Sequence, residues 1–436
     1  MAGIPLPSTI SGRCGLMHDM SRVSLEIETN LAQRDATRLA QHALTPADER
    51  AIRTYRLKRL RGILESADVG AAILFDPINV RYATGSRNMQ VWTMHNACRY
   101  AFVSTSGPVV LFDYSRCEHL SEHLETIDEI RPATSWDFFA AGERSEEQAG
   151  RWADEVAALF THQAGKRGRL AIDRMDILPF EALQRLGIPV VDAKPYLERA
   201  RSIKSGEEIN AIRDAVAAGE VAVGNMRKSM APGRRESDML AALSRENIAH
   251  GGEYMETRLL TSGPRTNPWL QETSDRVMEA GDFMTFDTDL IGRHGIFVDI
   301  SRAWIVGDNK PTNEQRTIYG LAREQLEYNM ALLRPGVSFR EFSETAWKMP
   351  GIYVPNRYAE LIHGAGLGVE YPVVYYLQDW EAAGYEGFFE ENMVVCVESY
   401  IGAVGGREGV KLEQQVLITK SGIELLSHYP FEDDHW

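Results

Sequence analysis

The residues most able to do chemistry together sit in one stretch, Asp282–Arg302, DFMTFDTDLIGRHGIFVDISR. Met284–Leu290 alternates apolar and polar residues, Gly292–Gly295 interrupts it, and Ile296–Ile300 resumes it, which predicts two strands joined by a tight turn. Side chains alternate faces along a strand, so Asp287 and Asp289 point the same way, and Asp299 reaches that side from the returning strand in a suitable register. Three carboxylates set among Phe286, Ile296, Phe297 and Ile300 repel one another unless something positive lies between them. A single aspartate here would be an ordinary edge residue. Three predict a site for a hard cation.

Further ligands follow in order. His363 stands in LIHGAGLGVEYP, where Gly364, Gly366 and Gly368 let the backbone pass close to something bulky or bound. Glu398 closes the apolar run Met393–Val397, and Glu413 lies in GVKLEQQVLI, so two further strands each carry an acid out of apolar context. Each of these residues alone would be a loop or edge residue. The series Asp287, Asp289, Asp299, His363, Glu398, Glu413 is the candidate metal cage. Such an Asp/Glu/His set accepts iron, manganese, zinc or cobalt.

The elements that must position these residues span two domains. At 436 residues with 44% hydrophobic residues, the chain is too long for one typical core and apolar enough to bury a sizeable interior. Residues 1–49 are polar and read as an N-terminal extension. Within 50–204 the patterns predict a helix from Tyr55 to Ser66, strands at Ala71–Phe75, Arg99–Ser104, Pro108–Asp113, Arg169–Asp173 and Pro189–Asp192, and helices at Ser145–Gln163 and Phe180–Leu186. Strands alternating with helices indicate an α/β domain with a mixed sheet. The loop Asn88–Asn96 holds Trp92, equally readable as packing or as a binding residue.

A second domain, 205–436, opens with Ser205 and Glu208 spaced as a capping box, and Ser338 with Glu341 repeat that spacing. Ala231-Pro-Gly and Arg334-Pro-Gly each precede a helix, and each half then supplies acid-bearing strands, so a duplicated unit would bring its two sets of acids together. A net charge of −15 argues against nucleic acid or anionic membrane as a partner. Four cysteines without CxxC spacing, no membrane-length apolar run and no signal-like opening favour a cytoplasmic protein.

In this order, and with HGxG around the histidine, the acids resemble the creatinase/prolidase/methionine aminopeptidase ("pita-bread") superfamily. TRLLTSGPRTNPWLQE, FDTDLIG, IHGAGLG and VKLEQQVLIT are most similar to its dimethylsulfoniopropionate (DMSP) lyase branch, DddP. The resemblance implies an α+β architecture, with a C-terminal pita-bread domain and a smaller N-terminal creatinase-like α/β domain. It also implies two divalent ions in the cage, a small carboxylate substrate and a homodimer. Helper histidines of the peptidase members are replaced here, by Pro268-Trp269 before the first aspartate and by Glu370 seven residues after His363. The implied reaction is therefore C–S β-elimination, with an Xaa-Pro metallopeptidase or small-amide hydrolase as the alternative and a binding protein on the same fold ranked last. Trp92, Trp269 and Tyr371 are the aromatic residues expected around an onium group, whose charge their faces would attract. The branch has an aspartate base immediately before Glu370, where this chain has Val369, leaving Glu370 and Asp289 as the candidate bases.

Overall fold

In the computed structural model the described residues are Leu39, 42–163 and 168–432, so most of the 1–49 extension lies outside them. The first long helix, Pro46–Ser66, starts at a capping box in which Thr45 and Asp48 exchange side-chain and backbone hydrogen bonds, with proline in its first turn. It thus begins earlier than the expected Tyr55. Strands β1 (Ala71–Leu74), β2 (Tyr100–Ser104), β3 (Val109–Asp113), β4 (Glu129–Pro132), β5 (Leu170–Ile172) and β6 (Val190–Asp192) form one sheet in the order β4-β3-β2-β1-β5-β6. β1 pairs antiparallel with β2 and parallel with β5, so the sheet is mixed as expected. Only β4 was not foreseen. Its residues, Glu129-Ile-Arg-Pro132, are polar and half exposed, and carry no apolar alternation to read.

The period of two decides how this sheet is covered. Ala71 and Ile73 pack with Trp152, Val156 and Phe160 of the helix Ser145–Gln163. Ala72 and Leu74 face the other way, into a core that includes Leu60 and Leu64 and continues into the second domain through Ile212, Val216 and Phe297. The described residues from Leu44 onward accordingly form one compact unit.

The second domain opens with the helix Gly206–Ser229, whose Ser205–Glu208 capping box forms as expected. At Ser338 only half a box forms: its hydroxyl accepts from Glu341 N–H, while its backbone bridges to Phe388. The two Pro-Gly turns are copies of one device. Gly233 and Gly336 have φ of 87° and 88°, and donate to Met278 and Phe389 carbonyls at 2.9 and 2.8 Å.

The expected hairpin of Asp282–Arg302 is instead shared between two sheets. Strands β7 (Tyr254–Met255), β8 (Leu260–Ser262), β9 (Phe283–Phe286), β10 (Leu290–Ile291), β11 (Phe297–Val298) and β12 (Arg302–Ile305) assemble as β11-β10-β7 and β12-β9-β8. The chain changes sheet at Asp287–Asp289 and again at Asp299–Ser301, so the acids occupy the seams. Asp289 takes a left-handed conformation, φ 41°, which re-aims a side chain that plain alternation could not place. The third sheet runs β14-β13-β15-β16-β17, from β13 (Glu360–Ala365), β14 (Val369–Tyr375), β15 (Val394–Ile401), β16 (Val410–Thr419) and β17 (Gly422–Leu425). No helix among the described residues is long and apolar enough to cross a membrane.

Candidate metal centre

Strand register brings the acids of the second half together. Antiparallel pairing sets Glu398 opposite Glu413, and His363 opposite Cys396. His363 Nε2 then lies 3.1 Å from Glu398 Oε1, 3.5 Å from Asp299 Oδ2 and 3.7 Å from Glu413 Oε1. Its Nδ1 faces the Gly364 carbonyl at 3.1 Å, a bond that would hold the ring with Nε2 toward the acids. From the first half, Asp287 N–H is fixed on the Leu259 carbonyl at 2.8 Å, and Asp289 N–H points to Asp299 Oδ1 at 3.4 Å. All six residues expected as ligands are buried and face one centre.

Two overlapping groups emerge. Ligand atoms of Asp287, Asp289 and Asp299 lie within 4.8 Å of one another, and so do those of Asp299, His363, Cys396 and Glu413. Asp299 belongs to both. Among the described residues, the only lysine in the centre is Lys411. Its Nζ, fully buried, lies 2.8 Å from Asp287 Oδ2, 2.7 Å from Glu398 Oε2 and 3.1 Å from Glu413 Oε2, and 2.9 Å from Ser301 Oγ. Ser301 Oγ also bonds Asp287 Oδ1 at 2.8 Å and Glu413 Oε2 at 2.9 Å.

The electrostatics show that one lysine is not enough. Desolvation is the largest single influence on Asp287 and works against its charge, but Lys411 together with side-chain hydrogen bonds to Asp299, Glu413 and Lys411 outweighs it and keeps this carboxyl well below its ordinary range. Burial and the Asp287 charge push Asp289 up to about 7, and the same two causes push Asp299 well above the ordinary range. Glu413 is raised too, by burial and then by Asp287. Burial alone would lower His363, yet Glu398 and Glu413 lift it to about 10. Glu413 Oε1 is buried without a hydrogen bond, and neither Glu398 oxygen makes one of good geometry. Five carboxylates with a histidine, one lysine and orphaned oxygens fit binding of divalent cations.

Lys411, Ser301 and Cys396 escaped the sequence reading. A signal existed for each, because Lys411 precedes Glu413 by two, Ser301 follows Asp299 by two and Cys396 precedes Glu398 by two, and that spacing shares a strand face.

Glu370, expected as a base, is placed elsewhere. Its carboxylate is buried against Lys204 Nζ, and lies 3.2 Å from Arg201 Nε. A Cβ on Gly366 would collide with that carboxylate, and one on Gly364 with the Tyr371 and Glu370 carbonyls, so these glycines serve strand packing. The aromatic residues do not converge either. Trp92 is 43% exposed and meets Phe139 edge-on. Trp269, buried after a cis Asn267–Pro268 bond, stacks on Tyr400. Tyr371 stacks on Tyr385, with Phe339 edge-on. Two other aromatic residues do reach the centre, Tyr358, whose ring lies 4.9 Å from Lys411 Nζ, and Phe297, edge-on to His363 at 6.4 Å.

This geometry has known relatives. The chain is 39% identical to the dimethylsulfoniopropionate lyase DddP of Roseovarius nubinhibens, covering 90% of this chain and 89% of that protein. It is 38% identical to the DddP of Roseobacter denitrificans, covering 96% and 94%. The chain belongs to the DddP family. Its second domain matches the model of metallopeptidase family M24 over residues 210–420, and its first matches the creatinase/prolidase N-terminal domain over 56–203. Among solved structures, an Xaa-Pro dipeptidase from Bacillus anthracis superposes with a TM-score of 0.70 at 20% identity, covering 86% of this chain and 98% of that one. At that identity it establishes the fold of this DddP-family chain and nothing narrower.

Proposed function

We propose that this protein is a metal-dependent C–S lyase that releases dimethyl sulfide and acrylate from DMSP or a close small carboxylate. The observation that carries this reading is the excess of buried carboxylate around Asp299, in a chain alike over nine-tenths of its length to two DMSP lyases. Asp287, Asp289, Asp299, His363, Glu398 and Glu413 would hold two divalent ions, of iron, manganese, zinc or cobalt. Such ions would supply a clamp for the substrate carboxylate and would acidify the neighbouring C–H. Asp289 is assigned to the cage, and Glu370, locked between Lys204 and Arg201, to the domain junction. We assign residues 50–204 and 205–436 to the two domains and 1–49 to an extension, and infer a homodimer working in the cytoplasm.

A peptidase reading is kept because the fold is shared with an Xaa-Pro dipeptidase. Headspace dimethyl sulfide from purified, metal-reconstituted protein given DMSP, run beside an Xaa-Pro dipeptide panel, separates the two. Dimethyl sulfide release is expected. Peptide cleavage without it would overturn the lyase reading.

A further inference from the structure

A β-elimination needs a group that takes a proton from the carbon beside the substrate carboxylate, and most acids near the cage are already engaged. Asp287 and Glu413 are held by Lys411 and Ser301, Glu398 by His363 and Lys411, and Glu370 by Arg201 and Lys204. Asp289 accepts the Thr257 hydroxyl. Glu256 differs from all of these. Its carboxylate makes no hydrogen bond or ion pair with any described residue, and the side chain opens to solvent.

Its position is fixed from both halves of the cage. Antiparallel pairing of Leu290 with Met255 runs on one step, so that the Glu256 N–H donates to the Asp289 carbonyl at 2.9 Å. Residues directly opposite on antiparallel strands stand close, roughly 5 Å apart at Cα. From there the side chain reaches the turn that follows His363. A Cβ built on Gly368 would lie 3.3 Å from Glu256 Oε1 and 3.8 Å from Oε2, immediately before Val369. The same Cβ would lie 3.3 Å from Ile78 Cδ1 of the first domain, so this lip is lined from both domains. Glu256 is thus tied by its backbone to Asp289 and carries its carboxylate to the turn between His363 and Val369.

We infer that Glu256 is the catalytic residue that removes the substrate proton, an inference resting on the lyase reading above. A Glu256 oxygen takes the hydrogen from the carbon next to the substrate carboxylate. The C–H electrons form the carbon–carbon double bond, the C–S bond breaks with its electrons passing to sulfur, and dimethyl sulfide leaves acrylate behind. The proton then passes from Glu256 to water. General-base removal of this kind has a known scale, roughly a hundredfold to ten-thousandfold.

The test compares E256Q with E360Q, because Glu360 is a half-buried acid close enough to His363 and Glu398 to feel their charges and has no part in the inference. Metal content, KM for DMSP, kcat for dimethyl sulfide release, and exchange of the substrate's acidic hydrogen into heavy water are measured for both and for the unaltered protein. We expect E256Q to lose kcat at least about a hundredfold, together with the exchange, at unchanged metal content and KM, while E360Q keeps both. E256Q that retains more than a third of kcat, or that loses its metal, overturns the inference, as does loss of turnover in E360Q instead. If the unaltered, metal-loaded protein releases no dimethyl sulfide, the lyase reading itself falls and takes this inference with it.

Discussion

Two regions of the molecule bury carboxylates beside lysine, and only one of them looks built for a ligand. At the domain junction Glu208 faces Arg56 at 2.6 Å, while Glu370 and Glu198 share Arg201, and Glu370 also meets Lys204. Three acids meet three permanent cations, and the cavity between them, lined by Arg56, Tyr82, Arg201, Lys204, Glu208 and Glu370, is only about 10 Å³. In the cage, Lys411 is the one permanent cation among the described residues beside five acids, and it pairs with three of them, Asp287, Glu398 and Glu413. Burial is common to both. Excess charge is what separates a ligand site from a structural ion-pair cluster, because a buried carboxylate left uncompensated either takes up a proton or waits for a cation.

The sharpest way to break this comparison is Asp299→Ala, which removes the acid shared by both ligand groups. We expect both ions to be lost and turnover to fall roughly a thousandfold or more. Metal analysis of the folded variant checks it, and full occupancy would sink the cage assignment. Glu370→Gln is the matching test on the balanced side. It leaves Lys204 without its carboxylate in the interior and Arg201 with Glu198 alone, and breaking such a pair from one side costs about 3–5 kcal/mol. Denaturant unfolding should show that loss, with metal content intact. If stability instead holds and turnover collapses, Glu370 is catalytic and the junction is no mere clasp.

The difference between the regions also explains what the sequence could disclose. The candidate acids stood out because each interrupts or closes an apolar run, as Asp287 does after Phe286 and Glu398 after Val397, although alternation could not place Asp289. The mixed sheet and the paired Pro-Gly turns were legible for the same local reasons. The break between β9 and β10 was not, since a left-handed Asp289 leaves no mark in a hydrophobic pattern. Nor were the partners of Glu370, which lie 166 and 169 positions away at Lys204 and Arg201. A carboxylate reads the same in sequence whether a distant strand supplies it a cation or not. Glu256 stayed hidden too, because its meaning depends on Gly368 across a sheet boundary.

A third kind of buried acid refines the contrast at a smaller scale. Asp173 has no cation; it accepts from Phe75 N–H at 2.8 Å, Asn79 Nδ2 at 2.9 Å and Asp76 N–H at 3.2 Å. Burial, aided by the Asp76 charge, overcomes those donors and pushes its carboxyl up to about 6. A folded-state value above the unfolded one, about 3.9, means that the folded chain binds more protons between the two. Stability from this group is therefore fully present below about pH 4, declines as pH rises to about 6, and is flat beyond, a change of at most about 3 kcal/mol. Unfolding free energy followed across that window should lose this slope in Asp173→Asn. An unaltered slope would mean that hydrogen bonds alone keep this acid ionised.

The smallest expected effect probes the lip where cage and solvent meet. Val369 opens β14 next to Gly368 and is 48% exposed, so an acid there would stand beside the Glu256 carboxylate. Val369→Asp adds charge at the cage mouth rather than in its interior, and water screens it, so metal content should not change. We expect dimethyl sulfide release to rise about threefold to tenfold, equivalent to a barrier lowered by roughly a kcal/mol. The gain is modest because the new carboxylate shares its task with one already in place, and two neighbouring acids hold each other's charge in check. A folded, metal-loaded Val369→Asp protein that is no faster would show that proton removal at this lip does not limit the reaction. A gain far above tenfold would show that the lip lacked a working base altogether, and would count against Glu256.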